Sequence, residues 1–119
     1  MNRRSDCPVS CILEVVGDTW TLLLMRDILF LDKHRYDEFL NSPEGISSNV
    51  LTNRLHQMEK AGLIEKVQYS NHRYRFSYMA TEKGQDLKPV LKAMSTWGFK
   101  HCENAKTPEE ILRRLEPFA

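Results

Sequence analysis

The 119 residues suffice for one domain with a modest core. Apolar residues make 41% and charged residues 28%, which excludes a disordered chain, and a formal net charge of +1 gives no general attraction to nucleic acid, so any such role must come from how the charges are distributed. Three cysteines without a disulfide-framework spacing fit a reducing compartment.

Arg3 and Arg4 precede an apolar stretch broken by Glu14 and Asp18, which is unlike an export signal. Residues 22–31 contain Arg26 and Asp27 and are too short to span a bilayer, so the expected location is the cytoplasm, with no membrane partner. In CPVSCILEVV, Pro8 suits a helix start, while Val9, Ile12, Leu13 and Val16 form an apolar stripe that Gly17 ends. Asp18 or Thr19 can cap a second helix, in which Trp20, Leu23, Leu24, Ile28 and Leu31 are spaced for burial. Apolar on most sides, this helix is expected to be the scaffold, with Trp20 as a core anchor.

Lys33, His34 and Arg35 lead into a third, short helix with Tyr36, Phe39 and Leu40 on one side. It stops at Asn41-Ser42-Pro43, because the residue before a proline avoids the α region. The stretch GISSNVLTNRLHQMEKAG then predicts a helix with Ser47 as N-cap and Gly62 as its stop. Leu51, Leu55 and Met58 make its dry stripe; opposite lie Asn49, Asn53, His56 and Lys60, flanked by Thr52 and Gln57. Two short helices joined by a Pro/Gly turn make a helix-turn-helix over 35–62. The outer face of the second helix is what base reading in a major groove needs, side chains that donate and accept hydrogen bonds; the alternative is an ordinary solvated face.

Apolar and polar residues alternate on either side of Ser70-Asn71-His72-Arg73, predicting a hairpin over 63–79 with His72, Arg73 and Arg75 at its tip. A basic-tipped hairpin after a helix-turn-helix is a winged helix. Thr81 and Glu82 open a last long helical stretch in which Gly84 and Pro89 are out of place, so either two helices meet near Leu87 to Pro89 or one bent helix runs through, the bent one being favoured. Val90, Leu91, Met94, Trp97 and Phe99 then form an apolar surface wider than a small domain needs, which points to a dimer. Thr107-Pro108-Glu109-Glu110 starts a final helix carrying Ile111, Leu112 and Leu115, expected to pack on a partner subunit or on the N-terminal helix. The expected fold is thus mainly α with a small β-hairpin, one winged-helix domain over 1–119, with dimerisation helices in 7–17 and 81–119.

The blocks CPV, GDTWTLLLMRDIL, RYDEFL, GISSNVLTNRLHQMEKAGLIEK and YMATEKGQDLKPVLKAMSTWG occur in that order, and over residues 7–98 the chain resembles the HxlR-type winged helix-turn-helix regulators, relatives of the MarR type. The resemblance implies a homodimer on double-stranded DNA, with the helix after GIS in the major groove and the hairpin against the adjacent backbone. Asn49, Thr52, Asn53 and His56 become the base-reading candidates, with asparagine able to pair bidentately with adenine. Ser48, Arg54, Arg73 and Arg75 become the phosphate candidates, Arg54 standing equally well in an internal ion pair. Asn49, Asn53 and His56 stand where the family often has lysine, glutamine and arginine, which implies a different operator and weaker phosphate attraction; the usual proline of the wing turn is absent from 70–73.

Val9, Ile12, Leu91, Met94 and Trp97 are the dimer-interface candidates, and nearby aromatic residues could line a small-ligand pocket. Cys7 stands at the family's N-terminal cysteine position, so the resemblance implies a possible oxidant or electrophile sensor with Cys102 as cross-linking partner; Cys11, one turn on, reads as simply buried. No cofactor is expected, since Cys7, Cys11, His101 and Cys102 are too loosely spaced for zinc. The reading is a DNA-binding regulator of nearby genes, a repressor modulated through a thiol or a small ligand. A winged helix that binds protein instead is the second reading. An enzyme has little support: no base can be assigned to Cys7, and phosphate-loop and metalloprotease motifs are absent.

Overall fold

In the computed structural model, which describes residues 3–68 and 76–111, Pro8 opens the first helix, α1 (Pro8–Val16), where a missing backbone N–H costs nothing. The second, α2 (Thr21–Phe30), is capped by Asp18, whose Oδ2 accepts from the backbone N–H of Trp20 and Thr21 at 3.0 Å each. As expected, α2 is the scaffold, with Leu24, Met25, Ile28 and Phe30 buried. Leu23 departs from expectation: it is half-buried and lines a groove facing Val90 and Met94.

The short helix α3 (Tyr36–Leu40) buries Phe39 completely, and its turn leads into α4 (Ser48–Lys60). Both ends of α4 are set by its sequence. Ser47 Oγ accepts from the N–H of Val50 at 3.3 Å. At the other end Gly62 takes φ +77°, and the N–H groups of Gly62 and Leu63 reach back to the carbonyls of Glu59 and Met58 at 3.0 Å each. Leu51, Leu55 and Met58 are buried, so the predicted dry stripe is the packed one.

Strands β1 (Ile64–Gln68) and β2 (Phe76–Ala80) pair antiparallel from Ile64 with Ala80 to Gln68 with Phe76, one residue beyond the predicted end of the hairpin. The Tyr78 N–H donates to the carbonyl of His34 at 2.7 Å, which fastens β2 to the entry of α3. Helix, turn, helix and antiparallel hairpin make a winged helix around one core that includes Met25, Phe39, Leu55, Ile64, Tyr78 and Leu91.

Of the two alternatives for this stretch the less favoured one holds: there are two helices, α5 (Glu82–Gln85) and α6 (Lys88–His101). Thr81 caps α5 by accepting from the Gly84 N–H at 3.1 Å, and Pro89 falls in the first turn of α6, where no N–H is needed. Gly84 is explained by contact: a Cβ there would lie 2.1 Å from the carbonyl oxygen of Leu63, so α5 rests its bare backbone on the root of β1.

A last turn, α7 (Pro108–Ile111), follows Thr107, whose Oγ1 accepts from the Glu110 N–H at 3.2 Å. Ile111 lies beside Leu22, Leu91 and Met94 of the same chain, so this turn packs on its own α6; Leu112 and Leu115 lie outside the described residues. Along α1 only Val16 is fully buried. No single helix among the described residues is long and apolar enough to cross a membrane.

Candidate nucleic-acid interface

What positions α4 is a charged cluster under the turn before it. Asp27, on α2, is 1% exposed. Its Oδ1 accepts from Arg26 Nε and Nη2 at 3.0 and 2.8 Å, and its Oδ2 from the Ser42 hydroxyl at 2.8 Å. Ser42 Oγ accepts in turn from Lys33 Nζ at 2.9 Å. Arg26 also spans both oxygens of Glu44, at 2.8 and 2.9 Å. Two residues of the turn, Ser42 and Glu44, are therefore clamped to the scaffold helix by bonds that satisfy buried charge. Burial disfavours the Arg26 charge, but the Glu44 and Asp27 carboxylates outweigh it and push that guanidinium above its ordinary range. The hydrogen bonds from Arg26 hold Glu44 below the usual carboxylate value against its partial burial.

At the start of α3, Glu38 Oε1 accepts from the backbone N–H of His34 and Arg35 at 3.0 Å each. The His34 N–H is the main reason its carboxyl is held low; burial opposes this, and Arg35 adds to it. The same carboxylate thus closes the N-terminus of α3 by reaching back to the chain that enters it.

Asn49, Thr52, Asn53 and His56 all lie exposed on α4, together with Ser48, Gln57 and Lys60. Thr52 is drawn toward α3, its Oγ1 2.9 Å from the Tyr36 hydroxyl, which also donates to the Ser48 carbonyl at 2.9 Å. From the sequence alone Tyr36 is only an apolar contact. The signal available was its type, since a half-buried tyrosine hydroxyl needs a partner. Arg54 takes the internal role: Nη1 lies 3.5 Å from Asp18 Oδ1, while Nε and Nη2 lie 3.2 and 2.8 Å from Asn53 Oδ1. Burial raises the Asp18 carboxyl, but the Thr21 hydroxyl, the two capped N–H groups and Arg54 together hold it below its ordinary value. Arg73 and Arg75, with His72, lie outside the described residues.

The interface candidates are divided. Val9 and Trp97 are each 64% exposed, and Leu13, Met94 and Phe99 are also exposed. Leu91 instead belongs to the chain's own core, because α6 packs on α2 there, and Ile12 is half-buried. Between α1, α2 and α6 runs a groove of about 450 Å³ lined by Ile12, Leu13, Leu22, Leu23, Val90 and Met94.

Cys7 is exposed at the N-cap of α1, where the backbone N–H of Ser10, then that of Val9, lowers its thiol pKa. Cys11 is half-buried rather than buried, its thiol 3.7 Å from both the Ser5 carbonyl and an Arg3 nitrogen. Cys102 is exposed just past the end of α6. No group of three or more metal-binding side chains occurs among the described residues.

The model of the HxlR-like helix-turn-helix family matches residues 15–106. An uncharacterized HTH-type transcriptional regulator of Synechocystis, sll1512, is 33% identical over 106 residues, covering 89% of this chain and 78% of that protein. Another, Rv3095 of Mycobacterium tuberculosis, is 33% identical over 101 residues, 85% of this chain but only 63% of its own length. Among solved structures, the redox regulator HypR in its reduced form superposes with a TM-score of 0.72 at 28% identity, over 82% of this chain and 95% of that one. The transcriptional regulator YodB of Bacillus subtilis, also reduced, gives 0.65 at 26% identity, over 86% and 100%.

Proposed function

The chain belongs to the HxlR-like helix-turn-helix family, and from that premise we propose a homodimer that reads double-stranded DNA through α4 and represses nearby genes. Membership makes it a transcriptional regulator; the family and its matched relatives are regulators and not enzymes.

The observation that carries the reading is the outer face of α4, where Asn49, Asn53 and His56 stand exposed on a helix capped at both ends and clamped to the scaffold through the preceding turn. A rigid rod with a polar, hydrogen-bonding face is suited to base edges. Thr52 and Ser48 support it, and Arg73 and Arg75 supply phosphate contacts from the wing. The exposed side chains of Val9, Leu13, Met94 and Trp97, within 7–17 and 81–119, are the surface through which two copies join. Cys7, with its lowered thiol pKa, is the site at which an oxidant or electrophile changes DNA affinity, Cys102 of a second copy being its partner. HypR, similar in structure, is itself a redox regulator. The place of action is the cytoplasm.

The test is fluorescence anisotropy of the reduced protein on its own upstream DNA and on a scrambled duplex across a salt series. Tight, salt-sensitive binding to the upstream DNA alone is expected. Asn53→Ala should weaken that binding by about 1 to 3 kcal/mol and leave the scrambled duplex almost unchanged. Equal losses on both would remove the base-reading role, and equally weak binding to both by the unaltered protein would favour the protein-binding alternative.

A further inference from the structure

We propose that Arg54 selects the base that Asn53 reads, by turning the asparagine carboxamide so that only its amino group faces a base edge. The inference rests on α4 lying in the major groove, as proposed above.

A guanidinium has five N–H donors and no acceptor, so whatever it bonds must present an oxygen. Here two of those donors converge on one atom, Asn53 Oδ1, at 3.2 and 2.8 Å. The amide oxygen is thereby engaged by Arg54, and the amino group, held apart from it by the planar amide, is left as the free donor. Arg54 is itself anchored from behind, its Nη1 3.5 Å from Asp18 Oδ1. Asp18 is not free to follow it, since the same carboxylate accepts the Trp20 and Thr21 N–H groups at the start of α2. Scaffold, arginine and asparagine form one line of contacts.

The consequence reverses the expectation from residue type. Pairing with adenine requires the asparagine oxygen to accept from N6 while its nitrogen donates to N7. With the oxygen occupied, only donors remain. Adenine would then set its N6 amino group against another donor, whereas guanine offers two adjacent acceptors, N7 and O6. The geometry therefore favours guanine over adenine opposite Asn53, by roughly tenfold for one good pairing. Arg54 is a positioning residue in this scheme and touches no base.

The experiment is selection of bound duplexes from a random pool by the full-length protein, compared with Asn53→Ala, Arg54→Met and Asp18→Asn. Methionine keeps an aliphatic stem and suits a helix. The base pair whose preference flattens in Asn53→Ala identifies the position that residue reads. Guanine is expected there for the unaltered protein, with a shift toward adenine of roughly tenfold in Arg54→Met and unchanged preference elsewhere. Asp18→Asn keeps an oxygen for the cap but removes the anchoring charge, and should shift the same position in the same direction by a smaller factor.

Adenine at that position in the unaltered protein overturns the proposal. So does a uniform loss across all sequences in both Arg54→Met and Asp18→Asn, or the absence of any position that responds to Asn53→Ala. A pool in which the unaltered protein enriches nothing overturns the DNA-reading function itself, a distinct result.

Discussion

Around the helix-turn-helix, Asp27 is 1% exposed with Arg26 and Ser42 bonded to it; along α1 and α6, Val9 and Trp97 are each 64% exposed. The first region satisfies every group it buries within one chain, and no buried side-chain nitrogen or oxygen among the described residues lacks a hydrogen bond. The second leaves large apolar side chains in water. The difference separates interactions that hold the helix-turn-helix in shape from a surface that the proposed dimer would cover: changes in the first region should unfold the domain, and changes in the second should only separate copies.

The sharpest way to break that division is Asp27→Ala. It strips Arg26 of one partner and leaves the Ser42 hydroxyl without its acceptor, so a loss of at least about 3 kcal/mol in urea unfolding is expected. A change below about 1 kcal/mol would mean that water replaces the cluster and that the turn is not held by it. Gly84→Ala comes next: its Cβ would lie 2.1 Å from the Leu63 carbonyl oxygen, and moving backbone apart costs about 1 to 3 kcal/mol in the same assay.

Trp97→Lys tests the other region. Truncating a central aromatic anchor costs an interface about 2 kcal/mol or more, so sedimentation should show monomer at concentrations where the unaltered protein is dimeric. The melting temperature extrapolated to low concentration should stay put; a monomer that melts much earlier would show Trp97 to be a core residue after all.

The smallest effect is acid sensitivity. Glu44 and Glu38 are held below the ordinary value of 4.5 in the folded chain, so each contributes stability that is fully present above that pH and is lost as pH falls through the folded values. Both are partly solvated, so roughly 1 kcal/mol or less is expected from each. Stability should be level above pH 5 and decline below about pH 4.5, less steeply in Glu44→Gln. An identical decline in that variant would assign the acid sensitivity to other carboxylates.

Much of the fold could be read from local chemistry. Ser47, Gly62, Leu51 and Met58 define α4 within a single stretch of chain, because caps and helical spacing are short-range properties. The split at α5 and α6 is ambiguous in the sequence because Thr81 and Pro89 are both start signals, and one helix with a bend spans the same residues as two helices in series. The clamp under the turn joins Asp27 to Ser42, and the Asp18 to Arg54 pair crosses from α2 to α4. Such partners are set by how helices cross, which spacing along the chain does not encode. For the same reason Tyr36 looked apolar and Asn53 looked ready for adenine: residue type lists what a side chain can bond, and only its neighbours decide which of those bonds are already taken.

The bare contact of Gly84 with Leu63 has a geometric consequence. The hairpin departs from one side of that contact and α6 from the other, with the Leu87 N–H bonded to the Gly84 carbonyl at 3.1 Å to complete the corner. For two copies joined through α6 as proposed, the angle between their hairpins would follow from this backbone contact, against which the Met25 side chain also packs. Duplex DNA turns by about 35° for every base pair inserted between paired sites. On the proposed dimer, the number of base pairs between the halves of an operator would then count as part of its identity alongside the bases themselves.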